Sequence, residues 1–151
     1  MESNNNYSEL LNDLWHKMIN IANQSHLKKD YPRIQGLGHL EIGVINIVSH
    51  KPDIIFREIC DELNMPKSSL TNVIDKLEKR NYVKRIISKR DKRSFSLELT
   101  VEGNLAQKEH LQFESFIFNK MMNALDTDEE KQLLIHLIGK IVIYFNNSNK
   151  K

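Results

Sequence analysis

The side chains best suited to chemistry in this chain are short polar groups and cations that lie close together in its middle third. Between positions 67 and 93, ten Lys and Arg residues stand against three acids, a net charge of +7, whereas the remaining positions sum to −5. Charge segregated in this way is typical of a surface that binds nucleic acid. A solvated basic surface is the alternative that charge alone leaves open.

The apolar residues in this segment predict the elements that position those side chains. A helix is predicted from about 55 to 63, followed by the turn Asn64-Met65-Pro66 and a second helix from about 67 to 80. Apolar residues recur in the second helix at i, i+3, i+4 and i+7, which leaves one face polar. They are Leu70, Val73, Ile74 and Leu77.

After the second helix the periodicity changes from that of a helix to that of a strand. Asn81 tolerates the left-handed conformation that ends a helix. Residues 83–87 are predicted to form one strand and 95–99 another, with Phe95, Leu97 and Leu99 on the inward face and Ser96 on the outward face. The charged turn between them makes the pair a basic hairpin.

A helix, a short turn, a polar-faced helix and a basic hairpin together make a winged helix-turn-helix. The second helix can enter the major groove of DNA, where all four base pairs are distinguishable. Its predicted DNA contacts are Lys67, Ser68, Ser69, Thr71, Asn72 and Lys76. The hairpin tip is predicted to contact phosphates or the adjacent minor groove, where guanidinium groups are favoured. Its predicted contacts are Lys89, Arg90, Lys92 and Arg93.

Helical segments on both sides complete the predicted organisation, a mainly α fold with a small β-hairpin wing. An N-terminal region, residues 1–36, contains a helix from about 7 to 27, and the DNA-binding lobe covers residues 37–100. Two C-terminal helices follow in residues 101–151, the last of them beginning at a capping box of Thr127 and Glu130. That helix is apolar nearly all round and requires burial on every side. The flanking regions are therefore predicted to form a homodimer.

Residues 54–107 resemble the core of the multiple-antibiotic-resistance regulator (MarR) family. The matching features are the helix-turn-helix spacing, the stretch LTNVIDKLEKRNYVKR, the D-x-R of Asp91 and Arg93, and LTVEG from Leu99 to Gly103. The order of the flanking helices is similar over nearly the whole chain. The resemblance implies a dimeric transcription factor, usually a repressor and often released by a small ligand.

The same resemblance implies roles for individual residues. Thr71 and Asn72 fall on positions that face DNA, Arg93 on the wing arginine, and Asp91 on the wing aspartate that braces basic neighbours. Asn72 stands where arginine is common, which implies an unusual base preference. Asn81 stands where glycine is usual and is a tolerated replacement in a helix cap.

A second candidate site is a pocket for a small-molecule effector. Aromatic and methionine side chains between the predicted dimer helices and the DNA-binding lobe suit such a pocket, although plain core packing is the alternative for each. They are Trp15, Met18, Tyr31, Phe113 and Phe116. Cys60 is expected to pack in the core, with a thiol sensor as the alternative.

Other classes of function find little support in the sequence. There is no glycine-rich phosphate loop, nucleophile motif or metal-ligand cluster, so we expect neither an enzyme nor a bound metal or cofactor. There is also no apolar run of membrane-spanning length and no signal peptide, which favours a cytoplasmic protein. A winged helix that binds another protein is the main alternative, and it would require an acidic or apolar recognition face.

Overall fold

A computed structural model of the chain describes residues 2–22 and 25–148, with side chains from 6 to 21 and from 27 to 148. These residues form the elements α1 (Glu2–Ala22), α2 (His39–His50), α3 (Phe56–Leu63), α4 (Lys67–Lys79), β1 (Val83–Ile87), β2 (Phe95–Leu99), α5 (Val101–Asn123) and α6 (Asp128–Ser148). The predicted fold, mainly helical with one antiparallel hairpin, is confirmed. The chain divides into two compact units, Met1–Phe113 and Glu114–Lys151.

The first helix ends earlier than its apolar pattern predicts. α1 is described as far as Ala22, and Ser25–Lys28 already form a turn of 3-10 helix instead of continuing the α-helix. Positions 23 and 24, which the predicted helix included, lie outside the described residues. At the other end of the chain, the capping box of α6 is confirmed. The N–H of Glu130 donates to Thr127 Oγ1 at 3.2 Å, and the N–H of Thr127 donates to Glu130 Oε2 at 3.2 Å.

The apolar stripe of α4 builds the centre of the first unit. All four predicted residues are buried, three of them completely: Leu70, Val73, Ile74 and Leu77. α2 supplies the facing side chains Val44, Ile45 and Val48. Burial of this stripe fixes which face of α4 remains outside, because the apolar and polar positions lie on opposite sides of one helix.

The hairpin has the predicted strands but not the predicted inward face. β1 and β2 pair from Val83 opposite Leu99 to Ile87 opposite Phe95. Phe95, expected inside, is 59% exposed, whereas Ser96, expected outside, is fully buried. The strict alternation is wrong here for two reasons. Phe95 lies near the tip of the hairpin, and Ser96 is covered by a third segment through a bridge to Ile55.

Large apolar side chains remain exposed on the helices at the two ends of the chain. None of the side chains that the structure describes in α6 is buried. On α1 the exposed residues include Leu10, Leu11, Leu14 and Trp15, and on α6 they include Leu137, Ile138, Ile141 and Val142. Among the described residues, no helix is long and apolar enough to cross a membrane.

Candidate nucleic-acid interface

The outward face of α4 presents polar groups with different degrees of freedom. The Asn72 side chain is exposed and makes no hydrogen bond to another described residue. Thr71, by contrast, donates its hydroxyl hydrogen to the carbonyl of Lys67 at 2.9 Å. A carboxamide offers both donors and an acceptor, so Asn72 is equipped to read a base. Thr71 must first rotate its hydroxyl before it can donate to a phosphate.

The ten cations between positions 67 and 93 fall into three groups according to their partners. Four of them make ion pairs with carboxylates, and they are Lys76, Lys84, Arg85 and Arg90. Arg80 donates instead to neutral oxygens. Within the part of the chain that the structure describes, the other five make no direct ion pair: Lys67, Lys79, Lys89, Lys92 and Arg93. These five carry the positive charge that is available to an external anion.

Arg85 neutralises the two acids of α4. Its Nη2 lies 2.5 Å from Asp75 Oδ1, and its Nη1 lies 2.5 Å from Glu78 Oε2. Arg85 lies on β1, so the ion pairs also join the wing to α4, the helix predicted to enter the major groove and called the recognition helix below. Compensation of Asp75 and Glu78 reduces the repulsion that these carboxylates would otherwise exert on DNA phosphates.

The base of the wing is held by Asp53, which lies in the turn between α2 and α3. Its carboxylate accepts the N–H groups of Lys89 and Arg90 at 3.1 and 3.0 Å and the hydroxyl of Ser88 at 3.1 Å. Asp53 has a left-handed backbone with a φ of 59°, which Asp tolerates better than most residues. The turn between α2 and α3 therefore holds the start of the wing loop, residues 88–94 between β1 and β2, through these hydrogen bonds.

Arg90 and Arg93 differ sharply although both lie in the wing loop. The Nη2 atom of Arg90 donates to Glu58 Oε2 at 2.6 Å and to the Asp53 carbonyl at 2.9 Å, which directs its guanidinium back onto the lobe. The role of Arg90 in DNA binding stays a prediction, but its position favours an indirect effect through the wing. The Arg93 guanidinium remains available for an external partner.

Asp91 braces the wing loop through its backbone and a neighbouring hydroxyl. Its carboxylate accepts Ser94 Oγ at 2.6 Å and the N–H of Arg93 at 3.0 Å. Through the backbone contact Asp91 orients the segment that carries Arg93, without engaging the Arg93 guanidinium. The Ser94 hydroxyl, followed by the Arg93 N–H, lowers the pKa of Asp91.

The carboxylates at the base of the wing also have lowered pKa values. Burial opposes ionisation of Asp53, but hydrogen bonds from Arg90, Lys89 and Ser88 outweigh it and lower its pKa. The Arg90 guanidinium, followed by the Ile55 N–H, lowers the pKa of Glu58. Because these pKa values are lowered in the folded protein, ionisation of the two carboxylates stabilises the fold at pH values above their ordinary pKa, which is 3.8 for Asp and 4.5 for Glu. That contribution is lost as the pH falls through the folded-state values.

Asp53→Asn is expected to loosen the wing at neutral pH. Asn tolerates the left-handed backbone at this position, but its neutral amide is a weaker acceptor for the two N–H groups than a carboxylate. Protection of the Lys89 and Arg90 amides against hydrogen exchange, relative to their intrinsic rates, should therefore fall, as it should in the unchanged protein when the pH falls through the lowered pKa of Asp53, below 3.8. Asp61→Asn on the exposed side of α3 is the matched control. Equal protection of both amides in the two variants would show that Asp53 does not hold the wing.

A groove between α3, α4 and the wing brings several of the predicted contacts together. Lys67 and Thr71 line it from α4, Arg93 lines it from the wing, and Phe95 and Cys60 supply apolar surface. Cys60 is partly buried at this groove instead of packing fully in the core. The groove places Arg93, which has no ion pair among the described residues, opposite the start of the recognition helix.

The residues of the predicted effector pocket are only partly brought together. Tyr31 and Phe113 make an edge-to-face contact with ring centroids 5.4 Å apart, and Lys28 Nζ lies 5.5 Å from the centre of the Phe113 ring. Trp15 and Met18 are exposed on α1. Phe116 belongs to the second unit, where Lys120 Nζ lies 5.0 Å from its ring centre. The effector pocket therefore stays a prediction.

Sequence reasoning missed the partners of the wing and of the recognition helix. Asp53 and Glu58 bind Arg90 across 37 and 32 positions of the chain, and Arg33 binds Glu109 across 76. The lone acid after Lys51-Pro52 was a possible signal, because a turn residue with a carboxylate often caps nearby N–H groups. No local pattern identified which N–H groups those would be.

Comparison with known proteins agrees with this geometry. A model of the MarR family matches residues 35–94, which cover the α2–α4 segment and most of the wing. The transcriptional repressor YetL of Bacillus subtilis is 25% identical over 134 residues, which span 85% of this chain and 78% of YetL.

Solved structures share the fold at low sequence identity. Streptococcus pneumoniae FabT, in complex with DNA, has a TM-score of 0.78 at 20% identity and covers 95% of this chain and 97% of its own. Staphylococcus aureus MepR bound to ethidium bromide has a TM-score of 0.62 at 16% identity, with 91% and 96% of the two chains covered. The polar-faced recognition helix, the basic wing and these similarities lead to one conclusion: this chain is a DNA-binding transcriptional regulator whose residues 35–94 match the model of the MarR family.

Proposed function

We propose that this protein is a homodimeric repressor that occludes a promoter by binding a pseudo-palindromic operator with α4 and the wing. One observation carries the proposal. Lys67 and Thr71 of α4 lie across a groove from Arg93, whose guanidinium has no carboxylate partner in the described residues. The neighbouring Asn72 is exposed and makes no hydrogen bond to another described residue. Short polar groups suit base edges, and unpaired cations suit phosphates and the minor groove. YetL, a similar protein, is itself a transcriptional repressor.

The exposed apolar surfaces of α1 and α6 support the homodimer. Side chains such as Leu11, Trp15, Ile138 and Ile141 are each about half exposed or more. Large contiguous apolar patches mark interaction surfaces, because exposing them to water is unfavourable. A second copy is the occupant we propose, since two recognition helices are then available for two half-sites about one helical turn apart. On this proposal, residues 1–36 and 101–151 form the dimerisation regions.

A small-molecule effector would release the repressor by changing the spacing of the two recognition helices. The aromatic contact of Tyr31 with Phe113 provides one apolar surface for such a ligand. MepR, which shares the fold, has been solved with ethidium bromide bound. We further propose that the protein acts in the cytoplasm, needs no metal or cofactor, and is not an enzyme.

A protein-binding winged helix is the alternative function. It would be expected to present an acidic or apolar face on α4. The described face instead carries Lys67, Asn72 and Lys79, and Arg85 compensates its two acids. These charges favour DNA as the partner of α4, because a protein-binding winged helix would be expected to have an acidic or apolar face there.

Asn72→Ala is expected to relax base choice without weakening binding to random DNA. A carboxamide can make two hydrogen bonds to adenine, and such a pair contributes roughly 1–3 kcal/mol of discrimination. Binding-site selection should return a two-fold motif for the unchanged protein. The variant should lose its preference at one symmetric pair of positions.

Ser68→Ala is the comparison for Asn72→Ala, because it truncates another exposed side chain of α4 one turn nearer the helix start. Although Ser68 is also a predicted DNA contact, its loss should not remove the preference at the positions that Asn72 reads. Identical motifs from the unchanged protein and Asn72→Ala would show that Asn72 does not read bases. Failure of the unchanged protein to select any motif would contradict the proposed function as a whole.

A further inference from the structure

One residue outside the helix-turn-helix joins the recognition helix to α5. Arg33 lies in the short 3-10 turn Pro32–Ile34. Its Nε donates to Glu102 Oε2 at 3.0 Å, and its Nη1 donates to Glu109 Oε1 at 2.7 Å. Its backbone N–H donates to the other oxygen of Glu109 at 2.8 Å. Both oxygens of one α5 carboxylate are therefore engaged by this single residue.

The backbone carbonyl of Arg33 accepts hydrogen bonds from residues that directly follow α4. Arg80, directly after the last residue of α4, donates from Nη2 to the Arg33 carbonyl at 3.0 Å and from Nη1 to the Gln35 carbonyl at 2.9 Å. The hydroxyl of Tyr82 donates to the Arg33 carbonyl at 2.8 Å, and the Arg80 guanidinium lies 5.0 Å from the centre of the Tyr82 ring. Arg33 thus holds α5 with its side chain and the end of α4 with its backbone.

The backbone itself leaves little room for movement at this junction. The N–H of Thr100 donates to the Tyr82 carbonyl at 3.1 Å. A Cβ atom at Gly103 would come within 1.9 Å of that same carbonyl oxygen. The first turn of α5 therefore packs directly on the segment that follows α4, and a shift of one is expected to move the other.

We propose that Arg33 is a positioning residue that fixes the recognition helix to α5 and thereby sets the half-site spacing that the dimer accepts. This inference rests on the proposed function, because spacing exists only for a dimer on a two-fold site. α5 continues to Asn123, within the region that we propose forms the dimer. When the recognition helix is bound firmly to α5, the two recognition helices of the dimer lie at one fixed distance from each other. When that attachment is loosened, the two helices can adopt several distances.

The test compares Arg33→Ala with Glu109→Gln, which change the net charge in opposite directions. Each variant is measured for its affinity to the operator selected by the unchanged protein and to versions with one or two base pairs inserted between the half-sites. The unchanged protein should reject the inserted sites. Both variants should lose this discrimination by about tenfold, in the range typical of coupling between two sites.

The controls separate positioning from electrostatics and from simple loss of stability. Lys131→Ala removes a positive charge and Asp128→Asn removes a negative charge from an exposed ion pair of α6. Both variants should keep the spacing preference of the unchanged protein. Arg33→Lys retains the positive charge but cannot contact Glu102 and Glu109 as the guanidinium does. This variant should keep part of the spacing discrimination. Each variant is also tested for its melting temperature.

Three outcomes would overturn the inference, and they are distinguishable. Opposite changes in affinity at every spacing would show that Arg33 and Glu109 act through charge alone. A lower melting temperature with unchanged spacing preference would show a purely structural role. If the unchanged protein never selects a two-fold motif, the proposed function is wrong, and this inference fails with it.

Discussion

Ile141→Asp is expected to abolish the dimer and, with it, binding to the operator. Ile141 is 52% exposed on α6 in the single chain, and we propose that a second copy covers it. A carboxylate there would be buried without a partner, which costs about 3–5 kcal/mol. Since each 1.4 kcal/mol corresponds to a factor of ten, dissociation should increase by at least about 100-fold. Sedimentation at micromolar concentration measures this change.

The control for the dimer prediction is Gln132→Asp, which adds the same charge at an exposed polar position of α6. It should sediment as the unchanged protein does. If the unchanged protein is itself a monomer at micromolar concentration, the proposed dimer is wrong. If Ile141→Asp remains a dimer that binds the operator, this surface of α6 is not the interface.

Arg93→Ala is expected to weaken operator binding by about 10- to 100-fold, with the fold intact. A hydrogen bond that involves a charged group contributes about 1.5–3 kcal/mol, and the Arg93 guanidinium has no carboxylate partner in the described residues that would offset its loss. The dependence of affinity on salt should also fall by about one unit for a lost phosphate contact. Fluorescence anisotropy over a salt series measures both quantities.

Arg90→Ala is the matched comparison for Arg93→Ala, because it removes the same side chain from the same loop. The Arg90 guanidinium is already paired with Glu58 and Asp53, so its removal releases few counterions. We expect Arg90→Ala to lower the order of the wing and to leave the salt dependence nearly unchanged. Equal salt dependence in the two variants would show that the ion pairs do not distinguish these arginines.

Features that depend on near neighbours were predictable from the sequence. The apolar spacing in α4 was sufficient to identify all four buried residues, because helical periodicity places them on one face. Asn81 has the expected left-handed backbone, with a φ of 58°. Thr127 and Glu130 form the expected capping box, which involves residues three positions apart. The winged helix-turn-helix and its basic polar face followed from these local patterns.

Only the tertiary structure decided which charged groups are available to DNA. Arg90 and Arg93 are the same residue type three positions apart, yet Glu58 and Asp53 engage the first, whereas the second has no ion pair within the described part of the chain. Burial of Ser96 and exposure of Phe95 likewise depend on a bridge to Ile55, far earlier in the chain. Periodicity reports which face of an element is apolar, but it contains no information on what packs against that face.

The junction at Arg33 is the clearest case in which sequence patterns are insufficient. Its partners lie 47 positions away at Arg80 and 76 positions away at Glu109, and no motif relates them. Which carboxylate an arginine meets depends on the path of the intervening chain, and that path is set by packing of the whole lobe. The sequence by itself therefore determined the elements and the kind of surface they present. The three-dimensional packing of those elements determined which side chains are free to bind and which hold the recognition helix in place.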